Sequence, residues 1–159
     1  MNISVVLATH NEEANIGRCL ESVKNIADEI IVADESSVDG TVKIAKKFAA
    51  RVISVPHNEN FHITKNIAID AAKGDWILQL DADEVVSPEL AGEIKSKIQE
   101  SKFNGYWINR RNWFLDRFLT KGGQYPDPTL RLYRRGKGRL LAKDVHEQAQ
   151  VEGEVGRLK

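Results

Sequence analysis

The stretch Trp76-Ile-Leu-Gln-Leu-Asp-Ala-Asp-Glu84 runs an apolar strand into two carboxylates, Asp81 and Asp83, with Glu84 beside them. Residues i and i+2 of a strand share a face. As the strand ends, the two aspartates are free to converge on one point. Hard cations such as Mg²⁺ and Mn²⁺ take oxygen ligands and commonly bind one or two carboxylates together with substrate phosphates. An apolar strand followed by Asp-x-Asp therefore has two readings, a metal–diphosphate site or an acidic, solvated strand end.

The chain around it alternates strand and helix. Ile3–Ala8 predicts a buried strand, and Ala14–Val23 places Ile16, Cys19, Leu20 and Val23 at helical spacing. Glu29–Ala33 reads as a second strand, Thr41–Ala49 as a helix capped at Asp39-Gly40, and Arg51–Val55 as a third strand. Thr64–Ala72 reads as a helix closed by Gly74 at the C′ position. After the strand Trp76–Leu80, Ser87 and Pro88 supply an N-cap and a first helical position for a helix carrying Leu90, Ile94 and Ile98. This alternation predicts an α/β fold with a mostly parallel sheet flanked by helices. Such sheets bind ligands outside the carboxyl ends of their strands. Thr9, Asn11, Glu12, Asp34, Asp81 and Asp83 all fall there, and that convergence favours a site over coincidence.

Past residue 103 the style changes. Gly105–Asn109 and Thr129–Arg134 read as strands, the latter by alternation, with Gly122-Gly123 and Pro126-Asp127-Pro128 as loops. Trp113-Phe114-Leu115 and Phe118-Leu119 form an aromatic patch among Arg110, Arg111 and Arg117. With Trp107, these aromatics are either core or a platform for an acceptor or a membrane surface.

At 159 residues, 42% apolar and 29% charged, the chain is one ordinary globular domain. No apolar run approaches the roughly 20 residues that a membrane-spanning helix needs. The N-terminus starts a strand directly, without the basic region of a signal peptide. The lone Cys19 sits among helical apolar residues and reads as inert core in a reducing compartment. The zero net charge hides an asymmetry. Residues 1–105 hold 11 Lys/Arg and 17 Asp/Glu, whereas residues 106–143 hold 10 and 2. A basic section of this kind suits phosphorylated lipid, nucleic acid or an intramolecular acidic face.

Four segments in order resemble the family 2 glycosyltransferases of the GT-A fold. They are Ser4-Val-Val-Leu-Ala-Thr-His-Asn-Glu-Glu13, Ile30-Ile-Val-Ala-Asp-Glu-Ser-Ser-Val-Asp-Gly-Thr41, Lys65-Asn66 with Ala72-Lys73-Gly74-Asp75, and Leu80-Asp-Ala-Asp-Glu84. Gln124-Tyr-Pro-Asp-Pro-Thr-Leu-Arg-Leu-Tyr-Arg-Arg135, followed by Val145-His-Glu147, is similar to bacterial transferases that build lipopolysaccharide core, including glucosyltransferases. The resemblance implies an inverting, metal-dependent hexosyltransferase that uses a nucleotide sugar, a UDP-sugar by expectation. Residues 1–103 would form the nucleotide-sugar half and 104–159 the acceptor half, cut short at its C-terminus. Thr9 and Glu12 would contact the nucleoside, Asn11 would belong to the same substrate-binding set, and Asp34 would meet the uracil edge. Lys65 would balance either Asp34 or the diphosphate. Asp81 would lie near ribose and metal, and Asp83 would bind Mg²⁺ or Mn²⁺ bridging the phosphates. A Lewis acid there neutralises charge on the leaving nucleoside diphosphate. An acceptor hydroxyl also needs a base. Glu147 is the candidate, with His146 as its orienter or a metal ligand; the other reading of Glu147 is a surface carboxylate capping a turn.

The implied partners are the donor and an anionic glycan or lipid-linked acceptor, met in the cytoplasm or peripherally on the inner membrane, and not a nucleic-acid polymer. Two rival enzymes fit less well. A nucleotidyltransferase wants a Gly-rich loop where this chain has Thr9-His-Asn-Glu12, and a dehalogenase-type phosphatase wants Asp-x-Asp after its first strand. A fragment that binds nucleotide sugar without full transferase activity is the remaining alternative. His10 reads as a packing residue, His57 and His62 as solvated loop histidines, and Lys43, Lys46 and Lys47 as a wet helix face.

Overall fold

The computed structural model describes residues 1–99, 101–111, 113–114, 117–118, 127–141 and 148–158, with backbone alone at 113–114 and 117–118. The first half runs β1 (Ile3–Thr9), α1 (Ile16–Val23), β2 (Glu29–Asp34), α2 (Thr41–Lys47), β3 (Arg51–Ser54), α3 (Phe61–Ala71), β4 (Trp76–Gln79) and α4 (Pro88–Gln99). The second runs β5 (Gly105–Arg110), β6 (Trp113–Phe114), β7 (Arg117–Phe118), β8 (Asp127–Arg134), β9 (Gly138–Leu140), β10 (Ala149–Val151) and β11 (Val155–Arg157). Seven strands form one sheet in the order β11-β5-β8-β4-β1-β2-β3. Neighbours are parallel except where β8 runs antiparallel to both β4 and β5.

Both faces of the sheet are covered, which explains the unbroken apolar runs of β1 and β4. On one face Ile3, Val5 and Leu7 pack with Ile16, Cys19 and Leu20 of α1 and Ile94 and Ile98 of α4. On the other, Val6, Ile31 and Ile77 pack with Ala68 and Ile69 of α3 and with Leu140 and Ala149 of the β9–β10 ribbon. The chain steps outward from β1 to β2 and β3, then returns to place β4 on the other side of β1. The gap between β1 and β4 is thus a topological switch point, where open sheets leave a crevice.

Local signals explain most boundaries. Ser87 Oγ accepts the Leu90 N–H at 3.2 Å, the expected N-cap contact. Helix α3 starts three residues before the sequence expectation, because Asn60 Oδ1 accepts the His62 N–H at 3.0 Å. Gly74 is not the left-handed cap expected of it, for the only glycines with positive φ among the described residues are Gly136 and Gly153. It is needed for close approach instead. A Cβ there would lie 2.6 Å from Ser4 Oγ and 2.8 Å from Ser4 N. Ser4 Oγ and the Lys73 and Gly74 N–H groups converge on Glu29. Burial opposes that carboxylate, but these hydrogen bonds outweigh it and hold Glu29 below its ordinary range.

Ala49 ends α2 with φ +55°. Its N–H bonds to Lys46 O at 3.1 Å and the Ala50 N–H to Ala45 O at 3.2 Å, the paired bonds of a Schellman motif. An L-residue is disfavoured in that conformation. Ala49→Gly is therefore expected to raise stability by about 1 kcal/mol and Tm by roughly 2–4 °C, read by thermal unfolding.

Candidate active site

The carboxyl ends of β1, β2 and β4 meet at the switch point. At the β1–β2 end, Asp34 is only 2% exposed. Its Oδ1 accepts the Thr9 hydroxyl at 2.9 Å and the Ser37 hydroxyl at 2.6 Å, and its Oδ2 accepts the Ser37 N–H at 2.9 Å. A carboxylate offers about four acceptor positions, so one on Oδ2 is left over. Thr9 is fully buried, its hydroxyl committed to Asp34, so it supports the wall rather than facing it. Asn11 is exposed at φ +54°, a conformation asparagine tolerates. Its N–H reaches Ser37 Oγ at 2.8 Å and its Oδ1 accepts the Val38 N–H at 2.9 Å, which ties the two loops together. Glu12 donates its N–H to Thr41 Oγ1 and accepts Asn15 Nδ2.

Sequence reasoning passed over Glu35. It is fully buried, yet its carboxylate takes the Thr64 hydroxyl at 2.5 Å, His57 Nδ1 at 2.7 Å and the Asn58 N–H at 3.3 Å. His57 is therefore not a plain solvated histidine: its ring also lies 4.6 Å from that of His10. His62 is no loop residue either. It is buried in α3, and its Nδ1 pairs with Leu141 O at 2.9 Å. Next to it Asn66 exchanges two bonds with the Leu140 backbone. Both contacts bind β9 to α3.

The β4 end carries the densest charge. Asp81 Oδ1 lies 2.5 Å from Lys65 Nζ, and Asp81 Oδ2 lies 2.7 Å from Arg131 Nη2. Lys65 thus balances Asp81, not Asp34. The same Arg131 nitrogen meets Glu84 Oε1 at 2.9 Å, where Arg110 Nη1 also arrives at 3.4 Å. Glu84 Oε2 accepts the Asp81 N–H at 2.8 Å and closes the turn. Burial would raise the Asp81 pKa, but the charges of Arg131 and Lys65 prevail and hold it at about 2. From below, Cys19 Sγ approaches Asp81 O at 3.6 Å. Burial, then the charges of Glu84, Asp81 and Asp83, push that thiol up to about 12, so it is inert.

Arg131 was the least legible member of this group. Strict alternation puts Leu130 and Leu132 on one face of β8. The structure puts Leu130 in one core and Leu132 in the other. The register against β5 jumps from Tyr106↔Leu132 to Trp107↔Leu130, so Arg131 is the extra residue of a bulge. Bulges re-aim side chains, and this one turns a guanidinium onto the Asp81–Glu84 turn.

Asp83 differs from Asp81. It is exposed, with no hydrogen bond or ion pair to any described residue. The two aspartates therefore do not converge as an empty pair, because Asp81 has turned to its cations. No group of three or more His, Cys, Asp or Glu side chains among the described residues surrounds one point. This donor set fits a hard cation held by one or two carboxylates with phosphate oxygens and water, not an all-protein cage. Glu147 and His146 lie outside the described residues.

Because Asp81 is depressed from 3.8 to about 2, its stabilising effect is full above about pH 4 and is lost as pH falls through 2. With its side chain 32% exposed, the loss should be about 1–2 kcal/mol, smaller in Asp81→Asn, by urea unfolding across that window.

Several basic side chains of the second half have partners among the described residues, two of these pairs at the surface. Arg110 also binds Asp127, Arg134 donates to Ser101 O, Arg135 to Gly74 O, Lys137 pairs with Glu152 and Arg139 with Asp70. Among the described residues no helix is long and apolar enough to cross a membrane.

Comparison with known proteins agrees with the fold. An uncharacterized glycosyltransferase of Rickettsia typhi is 47% identical over 93 residues, 58% of this chain and 32% of that protein. The lipopolysaccharide core biosynthesis glycosyltransferase LpsC of Rhizobium meliloti is 30% identical over 161 residues, 97% of this chain but 59% of its own length. The chain thus spans less than two thirds of these relatives. Among solved structures, S. aureus TarS in complex with UDP-GlcNAc superposes with a TM-score of 0.69 at 22% identity, covering 85% of this chain and 46% of that one. Glucosyl-3-phosphoglycerate synthase from Mycobacterium tuberculosis, in complex with Mn²⁺, UDP and glucosyl-3-phosphoglycerate, gives 0.56 at 25% identity, covering 67% and 43%. The architecture is the GT-A fold. The sequence model of glycosyl transferase family 2 matches residues 4–150, which include the carboxyl ends of β1, β2 and β4, and the chain belongs to that family.

Proposed function

We propose that this chain is the donor-binding part of an inverting, metal-dependent hexosyltransferase that takes sugar from a UDP-sugar. The observation that carries the reading is the exposed Asp83, without a hydrogen bond or ion pair among the described residues, beside an Asp81 paired to Lys65 and Arg131 at the switch point. Asp83 would hold Mg²⁺ or Mn²⁺ together with the donor diphosphate, and Asp81 would border ribose and cation. The bound cation supplies Lewis-acid stabilisation of the leaving diphosphate. The leftover acceptor position on Asp34 suits the N3–H of uracil, in a wall built by Thr9, Asn11, Ser37 and Glu12. Glu147 would take the acceptor proton, with His146 orienting it. Residues 104–159 would face the acceptor, a cell-envelope glycan or lipid-linked sugar.

The test is release of nucleoside diphosphate from a panel of nucleotide sugars with Mg²⁺ or Mn²⁺, beside calorimetry of UDP and GDP. Tighter binding of GDP than UDP removes the uracil assignment. Binding of UDP and metal without turnover favours the second reading, a piece that binds donor but lacks full transferase activity. The partial coverage of its relatives supports keeping that reading. Co-sedimentation with anionic and neutral vesicles at low and high salt tests a peripheral membrane acceptor. Equal binding to both lipids, or none, removes it.

A further inference from the structure

Asp81 is neutralised twice over, by Lys65 at 2.5 Å and Arg131 at 2.7 Å. A divalent cation approaching that carboxylate meets two positive charges first. The two cations are about equally buried, with side chains 13% and 11% exposed, but differ in their further partners. Arg131 sits on a bulge and binds Glu84 through the same nitrogen. Lys65 has no second partner among the described residues. Its compact ammonium rides on a flexible four-carbon stem, so it can reach more than one partner. It projects from α3, which packs on the sheet face opposite α1, and its ammonium sits at the β4 end beside Asp81.

Building on the donor-site reading above, we infer that Lys65 is a charge latch. It keeps Asp81 closed to a divalent cation in the nucleotide-free protein and swings to the diphosphate when donor arrives, so that cation and nucleotide bind only together. Arg131 stays behind to hold Asp81 and Glu84 in place. Coulomb's law sets the scale: a unit positive charge about 5 Å from a divalent ion costs roughly tenfold in affinity even at the dielectric constant of water.

The latch gives Lys65 opposite effects on two ligands, which a purely structural lysine would not have. Calorimetry should compare Mn²⁺ alone, UDP alone, and Mn²⁺ with saturating UDP on wild type, Lys65→Met and Lys65→Arg. Wild type is expected to bind Mn²⁺ weakly alone and at least about tenfold more tightly with UDP. Lys65→Met should gain about tenfold for Mn²⁺ alone while losing affinity for UDP, and Lys65→Arg, which keeps the charge, should stay close to wild type for Mn²⁺ alone. A Lys65→Met protein whose affinity for Mn²⁺ alone is unchanged, although wild type forms the ternary complex, overturns the latch and leaves the donor site standing. If wild type forms no UDP–Mn²⁺ complex, the donor-site reading fails and the latch with it. Should Lys65→Met melt early, wild type still decides: equal affinity for Mn²⁺ with and without UDP sinks the idea.

Discussion

On the proposed role of Asp83 as cation ligand, replacing it with alanine is expected to cut sugar transfer by about a thousandfold, since a Lewis acid contributes several kcal/mol to stabilising the leaving group. Stability should barely change. The side chain is exposed and bonds to no described residue, so its removal leaves no described partner behind. Initial rates at saturating donor and Mn²⁺, with a melting curve on the same preparation, separate the two effects. A variant that transfers within a few-fold of wild type would place the cation elsewhere.

The largest stability effect belongs to Arg131. Arg131→Met removes the cation shared by Asp81 and Glu84, whose side chains are 32% and 19% exposed. Breaking a buried pair costs about 3–5 kcal/mol, and partial exposure brings the expectation here to roughly 2–3. Urea unfolding should show a lower midpoint with an unchanged slope, since the same surface is exposed on unfolding. A loss under 1 kcal/mol would mean that Lys65 and water suffice to hold the turn.

Much of this was legible in the sequence because the signals were local or periodic. The Ile16, Cys19, Leu20, Val23 spacing and the Ser87-Pro88 start need only neighbouring residues to be read. The aspartates at strand ends followed from the α/β pattern, since topology alone gathers carboxyl ends. What stayed hidden depends on pairing between distant segments. Nothing near Lys65 says that its partner is Asp81, and nothing near Glu35 says that Thr64 and His57 will close over it. Gly74 looked like a cap because a glycine after a helix usually is one. Its reason lies 70 residues away, at Ser4. The charge count of residues 106–143 carried no partners, so it could not tell that Arg110, Arg134, Arg135, Lys137 and Arg139 each have one within the chain.

The bulge in β8 marks one position as surplus to the sheet. With residue 131 left out, Leu130, Leu132 and Tyr133 would follow one another across the two faces in plain alternation, each already in the core that alternation assigns it. The hydrophobic interior therefore gains nothing from an arginine inserted there and would be served as well by a strand one residue shorter. Such an insertion persists only where something other than packing retains it. Shortening β8 by that residue would spare the fold and disarm the turn at Asp81, so the two demands on this strand, to fill a core and to hold a charge, are separable at a single codon.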